Sequence, residues 1–203
     1  MGYYTDLEKI SIDDYETKLK SSYLPPSRMI LKDNSDERFG YFRKLGINNV
    51  RELLQLLNQK AKITELSKAS CFKGDYLTIL LRELRSILPK PNKVAEFSII
   101  PKDAIISLEK SGITNTEKLY NKAKNKADRK KLADSLNVEY QHILALTKVS
   151  DLSRIKWVGV TYAEILFHLG TDTVKKVSES DPVDLHAKIN QLLKERNIKS
   201  AIG

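Results

Sequence analysis

Apolar residues recur along this chain three and four positions apart, with polar residues between them. That is the spacing of helices with one buried face. It predicts a helix from Ile12 to about Lys20, opened by Ser11 with Asp14 and broken by Pro25 and Pro26. A turn of helix is expected at Ser27 to Leu31. Asn34 or Ser35 then caps a helix carrying Phe39, Phe42 and Leu45, closed by Gly46. Further on, Pro101 suits the first turn of a helix with Ala104, Ile105 and Leu108. Asn137 is expected to cap a helix from Val138 to Lys148, and Asp181-Pro182 to open one with Leu185, Ile189, Leu192 and Leu193. Ile198 to Gly203 is expected to fray. No run shows convincing strand alternation, so the expected fold class is all-α; Phe97 to Ile100 fits the pattern least.

The pattern repeats. Gly46-Ile47-Asn48, Gly112-Ile113-Thr114 and Gly170-Thr171-Asp172 each precede a helical apolar run. In each, glycine can close one helix in the left-handed conformation, and the polar residue two positions later can cap the next. Thr114 with Glu117 reads as a capping box. The first two copies stay alike further on: Leu66 and Leu132 each lie 20 residues past the glycine. Tyr76 and Tyr140 then open helices with similar apolar runs, the second copy being two residues shorter before its tyrosine. This predicts a duplicated helical unit with a third, shorter return at Gly170. Pro89-Lys90-Pro91-Asn92 interrupts the pattern. Two tandem small helical domains are therefore expected, an N-terminal one over residues 1–90 and a C-terminal one over 93–203.

The most informative stretch runs from Asp151 to Gly170, Asp-Leu-Ser-Arg-Ile-Lys-Trp-Val-Gly-Val-Thr-Tyr-Ala-Glu-Ile-Leu-Phe-His-Leu-Gly. It reads as a helix, a tight turn that Gly159 permits, and a second helix closed by Gly170. Leu152, Ile155 and Val158 before the turn, and Ala163, Leu166 and Phe167 after it, are expected to face a core. The stretch resembles the helix-hairpin-helix superfamily. With Ser111 to Leu119, Lys130 to Ala133 and Gly170 to Val174 around it, the chain from Ser111 to about Asn197 resembles the DUF4332 family, whose role is not established. The resemblance implies degenerate helix-hairpin-helix repeats; in that motif the turn amides and the following helix N-terminus can receive a phosphate. The corresponding turns at Asn34-Ser35-Asp36 and Ile100-Pro101-Lys102 have no glycine, which leaves at most the Gly159 hairpin to do so. One departure is plain: a DNA-binding hairpin of this kind usually has glycine where Trp157 stands, and often lysine where Thr161 stands.

Charge and composition narrow the partners. The chain has 203 residues, 41% of them hydrophobic, a formal net charge of +9 and a pI near 9.4. A packed core is expected, and acidic partners such as nucleic acid are favoured. The single cysteine, Cys71, excludes an intramolecular disulfide, fits a reducing cytoplasm and reads as a small buried hydrophobe. No apolar run is long enough to cross a membrane, and no secretory signal is legible at the N-terminus.

Two groups of residues carry candidate chemistry. In the hairpin, Arg154 and Lys156 can offset phosphate charge, amides near Gly159 and the Thr161 hydroxyl can donate, and Tyr162 lies beside them. Trp157 can stack on a base or, alternatively, pack between repeats. The second group is the basic run Lys118, Lys122, Lys124, Lys126, Arg129, Lys130 and Lys131, offset locally only by Glu117 and Asp128. His142, His168 and His186 sit in separate predicted helices without metal-ligand spacing, and no catalytic motif is present. Neither a metal nor a cofactor is expected. The sequence thus points to a non-enzymatic, cytoplasmic protein that contacts nucleic acid, DNA ahead of RNA, through the phosphate backbone with little sequence specificity. A protein-interaction or scaffold module is the alternative.

Overall fold

A computed structural model describes residues 2–72 and 74–196, so the expectation for Ile198 to Gly203 lies outside the described residues. The described chain is all-helical: α1 (Ile12–Ser21), α2 (Ser35–Lys44), α3 (Val50–Asn58), α4 (Lys60–Leu66), α5 (Tyr76–Arg85), α6 (Lys102–Lys110), α7 (Thr116–Lys122), α8 (Lys126–Leu136), α9 (Tyr140–Leu152), α10 (Val160–His168), α11 (Val174–Glu179) and α12 (Pro182–Glu195). Short 3-10 turns stand at Leu7–Lys9, Pro26–Leu31 and Val94–Glu96. The chain divides into two compact units, Gly2–Leu88 and Pro89–Gly203.

The internal repeat is visible element by element. Helices α2 to α5 recur as α6 to α9, with α4 and α8 starting at Lys60 and Lys126 and with Tyr76 and Tyr140 as the first residues of α5 and α9. In both copies of the repeat the turn between the first two helices, α2 to α3 and α6 to α7, closes in the same way. Gly46 (φ +79°) and Gly112 (φ +85°) adopt the left-handed conformation. The next residue's N–H reaches back to close the helix, Ile47 to the Phe42 carbonyl (3.1 Å) and Ile113 to that of Leu108 (2.9 Å). Gly170 (φ +76°) repeats this, with Thr171 donating to Leu166 (3.0 Å).

The caps fall one residue later than the pattern suggested. Asn49, Asn115 and Thr173, not Asn48, Thr114 and Asp172, accept the N–H bonds of Glu52, Lys118 and Lys176. The earlier polar side chain is engaged elsewhere each time. Asn48 donates to the Gly46 carbonyl, Thr114 accepts from Lys118 Nζ, and Asp172 pairs with Lys148 and Lys176. The Thr114 and Glu117 capping box therefore does not form. Asn137 likewise ends α8 in the left-handed conformation (φ +50°) rather than capping α9. Pro101 sits at the N-cap of α6, one residue before its first turn.

Each unit has its own core. In the first, Phe39, Phe42, Phe72 and Tyr76 pack with Leu53, Leu57, Leu77 and Leu80. Cys71 is buried there, and burial pushes its thiol up from the usual range. Leu45, expected inside, is half exposed. In the second unit α7, α8 and α10 all pack on α9, whose Ile143, Leu146, Val149 and Leu152 are fully buried.

Candidate nucleic-acid interface

Helix α9 is the beam on which both candidate groups hang. Its C-terminus runs into a series of tight turns, with Ser153 donating to Val149 (2.9 Å), Ile155 to Leu152 (3.0 Å) and Val158 to Ile155 (2.9 Å). Leu152 and Ala163 are fully buried on either side of the turn, Leu166 nearly so, while Ile155, Val158 and Phe167 pack half-buried against the same core. The apolar expectation for this hairpin is met.

Its backbone corrects one expectation. Gly159 has φ −85° and ψ −173°, which any residue adopts, and a Cβ added there would meet nothing within 4 Å. The turn therefore does not need glycine at 159. The left-handed residue is Trp157 (φ +68°), at the position where a DNA-binding hairpin usually has glycine. For a bulky side chain this conformation costs on the order of 1 kcal/mol. Its indole does not pack between repeats: it is 57% exposed, with the Lys156 ammonium 4.5 Å from the ring centroid.

Gly159 is the N-cap of α10 and supplies no side-chain bond. The first bond back into the turn is from Ala163 to the Gly159 carbonyl (3.0 Å). The N–H groups of Gly159, Val160 and Thr161 take no acceptor among the described residues. Helix N-termini of this kind carry partial positive charge and can receive an anion. Thr161 is exposed beside them and Tyr162 is half-buried. Arg154 is structurally engaged. It pairs with Asp151 (2.7 Å), and its guanidinium lies 4.6 Å over the ring of Tyr120 on α7.

That contact fixes the relation of the hairpin to the basic run. Tyr120 faces the hairpin, and Lys118 and Lys122, each two residues from it, lie about 160° away around α7. Lys118 and Lys122 thus point away from the Arg154 contact. Lys118, Lys122, Lys124, Lys126, Lys130 and Lys131 are all exposed. None forms an ion pair among the described residues, and Lys118 Nζ is hydrogen-bonded only to Thr114 (3.1 Å). Arg129 departs from the run: it is half-buried and donates to the Ala123 carbonyl (3.2 Å), bracing the α7–α8 turn.

Two acidic residues hold the site together, Glu164, which sequence reasoning passed over, and Asp172, which it took only for a cap. Glu164 on α10 accepts from the hydroxyl of Ser98 (2.9 Å), its backbone N–H and that of Ile99 (3.2 Å), tying the segment before α6 to the hairpin helix. Asp172 joins Lys148 on α9 to Lys176 on α11; burial pushes its carboxyl up, but the two lysines outweigh this and hold it below the usual range. No spacing signal in the sequence marks Glu164, and the repeat that marks Asp172 says nothing of its lysine partners. A pocket of about 200 Å³ between α6 and the start of α9 is lined by Asp103, Asn137, Glu139 and His142, with His142 Nε2 4.0 Å from Glu139. Among the described residues no group of three or more His, Cys, Asp or Glu could hold a metal ion, and no helix is long and apolar enough to cross a membrane.

No curated protein and no solved structure matches the chain. A family model, Domain of unknown function (DUF4332), matches residues 99–202. That span holds the hairpin, the basic run and the Gly170 turn, and covers just over half of the chain, which therefore belongs to the DUF4332 family.

Proposed function

We propose that this chain is a non-enzymatic nucleic-acid-binding protein that contacts the phosphate backbone with little sequence specificity. The supporting observation is the α7–α8 face, where six exposed lysines within 14 residues have no acidic partner among the described residues. Neutralising phosphates there releases counterions, which gives affinity without base reading. The open amides at the start of α10 and the Thr161 hydroxyl add a second phosphate contact on the hairpin side. Lys156 and Trp157 stand beside it, offering a cation and a stacking surface to an unpaired base. Arg154 serves by position, keyed between Asp151 and Tyr120. DNA comes before RNA in this reading. A single buried thiol suits a cytoplasmic setting.

A protein-interaction or scaffold role is the second reading. The exposed Trp157 favours it, since solvent-facing tryptophans are common anchors of interfaces.

The test is a titration with labelled duplex DNA, single-stranded DNA and RNA at several salt concentrations, following anisotropy and Trp157 fluorescence. Replacing Lys122, Lys124 and Lys126 by glutamine is expected to lower the slope of log affinity against log salt by about 2 to 3. An unchanged slope makes the run a solvated surface. Gly159→Val, which the backbone accommodates, is expected to weaken binding in a folded protein. Absence of binding at low salt removes the nucleic-acid reading altogether.

A further inference from the structure

The three glycine-closed turns follow one course, but among the described residues only two of them are covered. At the first, the Val50 N–H donates to the Ile10 carbonyl (3.0 Å) and the Ile12 N–H to that of Asn48 (2.9 Å). At the second, Thr116 donates to Asn92 (2.9 Å) and Val94 to Thr114 (3.1 Å). Each is a one-residue antiparallel bridge, Ser11 to Asn49 and Lys93 to Asn115. Beneath these segments Val50 and Thr116 are fully buried, and the covering Ile12 and Val94 are themselves buried. At the third turn the equivalent groups are the Val174 N–H and the Asp172 carbonyl. Neither is hydrogen-bonded among the described residues, and Val174 is 41% exposed. Element order explains the difference. The chain before α6 is extended across its turn, whereas the stretch before α10 is the end of α9 and a series of tight turns.

We infer that the Gly170 turn is a docking slot for an extended segment of a partner protein, which adds one bridge as Ile10–Ile12 and Asn92–Val94 do within the chain. The filled turns specify the occupant. A polar residue stands at the bridge, Ser11 or Lys93, and a β-branched apolar residue follows it, Ile12 or Val94. Two main-chain hydrogen bonds hold the segment, and the apolar side chain sets its register. Charge adds a third feature. Arg51, one residue past Val50, pairs with Glu8, two residues before Ile10 (2.9 Å). Lys175 holds the same place past Val174, in a long, exposed ion pair with Glu179 (3.6 Å), so an acidic residue two positions before the segment's carbonyl acceptor competes for it and completes the match. This inference does not depend on nucleic-acid binding: the slot and the α7–α8 lysines use different residues.

The chain's own covering segment is the probe. A blocked peptide of residues 7–14, Leu-Glu-Lys-Ile-Ser-Ile-Asp-Asp, is titrated into the isotope-labelled full chain while amide shifts and hydrogen exchange are followed. Peptide is expected to shift Thr171 to Lys175 and to protect the Val174 N–H. Val174→Pro, at the first helical position where proline is tolerated, removes the donor and is expected to weaken binding at least tenfold. Lys175→Glu is expected to weaken it as well, and a peptide with Glu8→Lys to recover the loss. No shift at these residues up to millimolar peptide overturns the inference, as does equal binding by Val174→Pro and Lys175→Glu. A Val174 N–H already protected in the free chain also overturns it. Protection lost on dilution would assign the slot to a second copy, and protection lost on deleting residues 197–203 to the chain's own end.

Discussion

The two units share four helices and one turn geometry, yet they handle charge in opposite ways. Residues 2–88 bury three charged side chains, Glu16, Arg38 and Glu83, within an aromatic core of Phe39, Phe42, Phe72 and Tyr76. Each buried charge is matched, Glu16 by Lys20 and Arg43, Glu83 by Arg28, and Arg38 by three carbonyls. Among the described residues of the second unit the buried polar ones are Thr116, Ser150 and Ser153, with no charge among them. Its core is mostly aliphatic residues and alanines with Phe97, and six exposed lysines gather along α7, α8 and the loop between them. One repeat has thus used its charges to hold itself together, and the other has left them facing solvent, where they can meet a polyanion. Under the proposed function, this difference is what assigns the nucleic-acid contacts to the second unit, although the turns come from the same pattern.

Arg38 gives the largest test of this contrast. Its Nε donates to the Cys71 carbonyl (2.8 Å), its Nη1 to those of Ile30 (3.0 Å) and Asp33 (2.7 Å), and the guanidinium lies 3.9 Å over the Tyr76 ring. Arg38→Leu strips several buried acceptors at once, for an expected loss on the order of 3 kcal/mol. Lys130→Gln, on the exposed face of the second unit, is expected to stay within about 0.5 kcal/mol. Urea unfolding followed by circular dichroism compares them, and equal effects would erase the distinction between structural and surface charge.

Acid sharpens the same contrast. Burial pushes the Glu16 carboxyl up, but hydrogen bonds from Lys20 and Arg43 outweigh it and hold it below the ordinary value. A depressed folded value means the stabilisation is complete above the unfolded carboxylate range and is lost as pH falls through the folded value. The first unit is expected to lose stability below about pH 4, and Glu16→Gln to flatten that loss. Circular dichroism follows both units, and Trp157, the only tryptophan, reports the second alone. Asp172 makes a parallel contribution there, so Asp172→Asn serves as the control that should change the tryptophan trace instead.

What was legible in the sequence was local. The glycines at 46, 112 and 170 announced their left-handed turns, and the 66-residue offset between copies aligned Lys60 with Lys126 at the starts of α4 and α8. The caps were misplaced because two cap-competent residues stand side by side in each turn. Which of them caps depends on partners such as Lys148 for Asp172, which lie outside the local pattern. At the hairpin, residue type pointed to Gly159 as the special position. Yet the conformation that usually requires glycine is borne by Trp157, and the contact of Arg154 with Tyr120 needed the packing of α7 on α9 before it could exist. The open slot at Val174 was hidden for the same reason: it is defined by a segment that two copies possess and the third lacks.

The smallest effects separate the glycines by what their backbones demand. Gly112 sits at φ +85° with nothing within 4 Å of an added Cβ, so Gly112→Ala meets strain alone and is expected to cost about 1 kcal/mol. Gly159→Ala meets neither a clash nor a left-handed backbone. Its lower unfolded-chain entropy is offset by alanine's poorer fit at an N-cap, for a net change within about 0.5 kcal/mol. Trp157→Gly relieves the left-handed strain but frees the unfolded chain and loses the Lys156 contact, so it too is expected to be near neutral. Thermal unfolding of the three variants orders them, with Gly112→Ala alone showing a clear drop. A large loss at Gly159→Ala would mean that the hairpin requires its glycine for the fold. Weakened nucleic-acid binding by Gly159→Val would then report a damaged turn rather than a blocked phosphate.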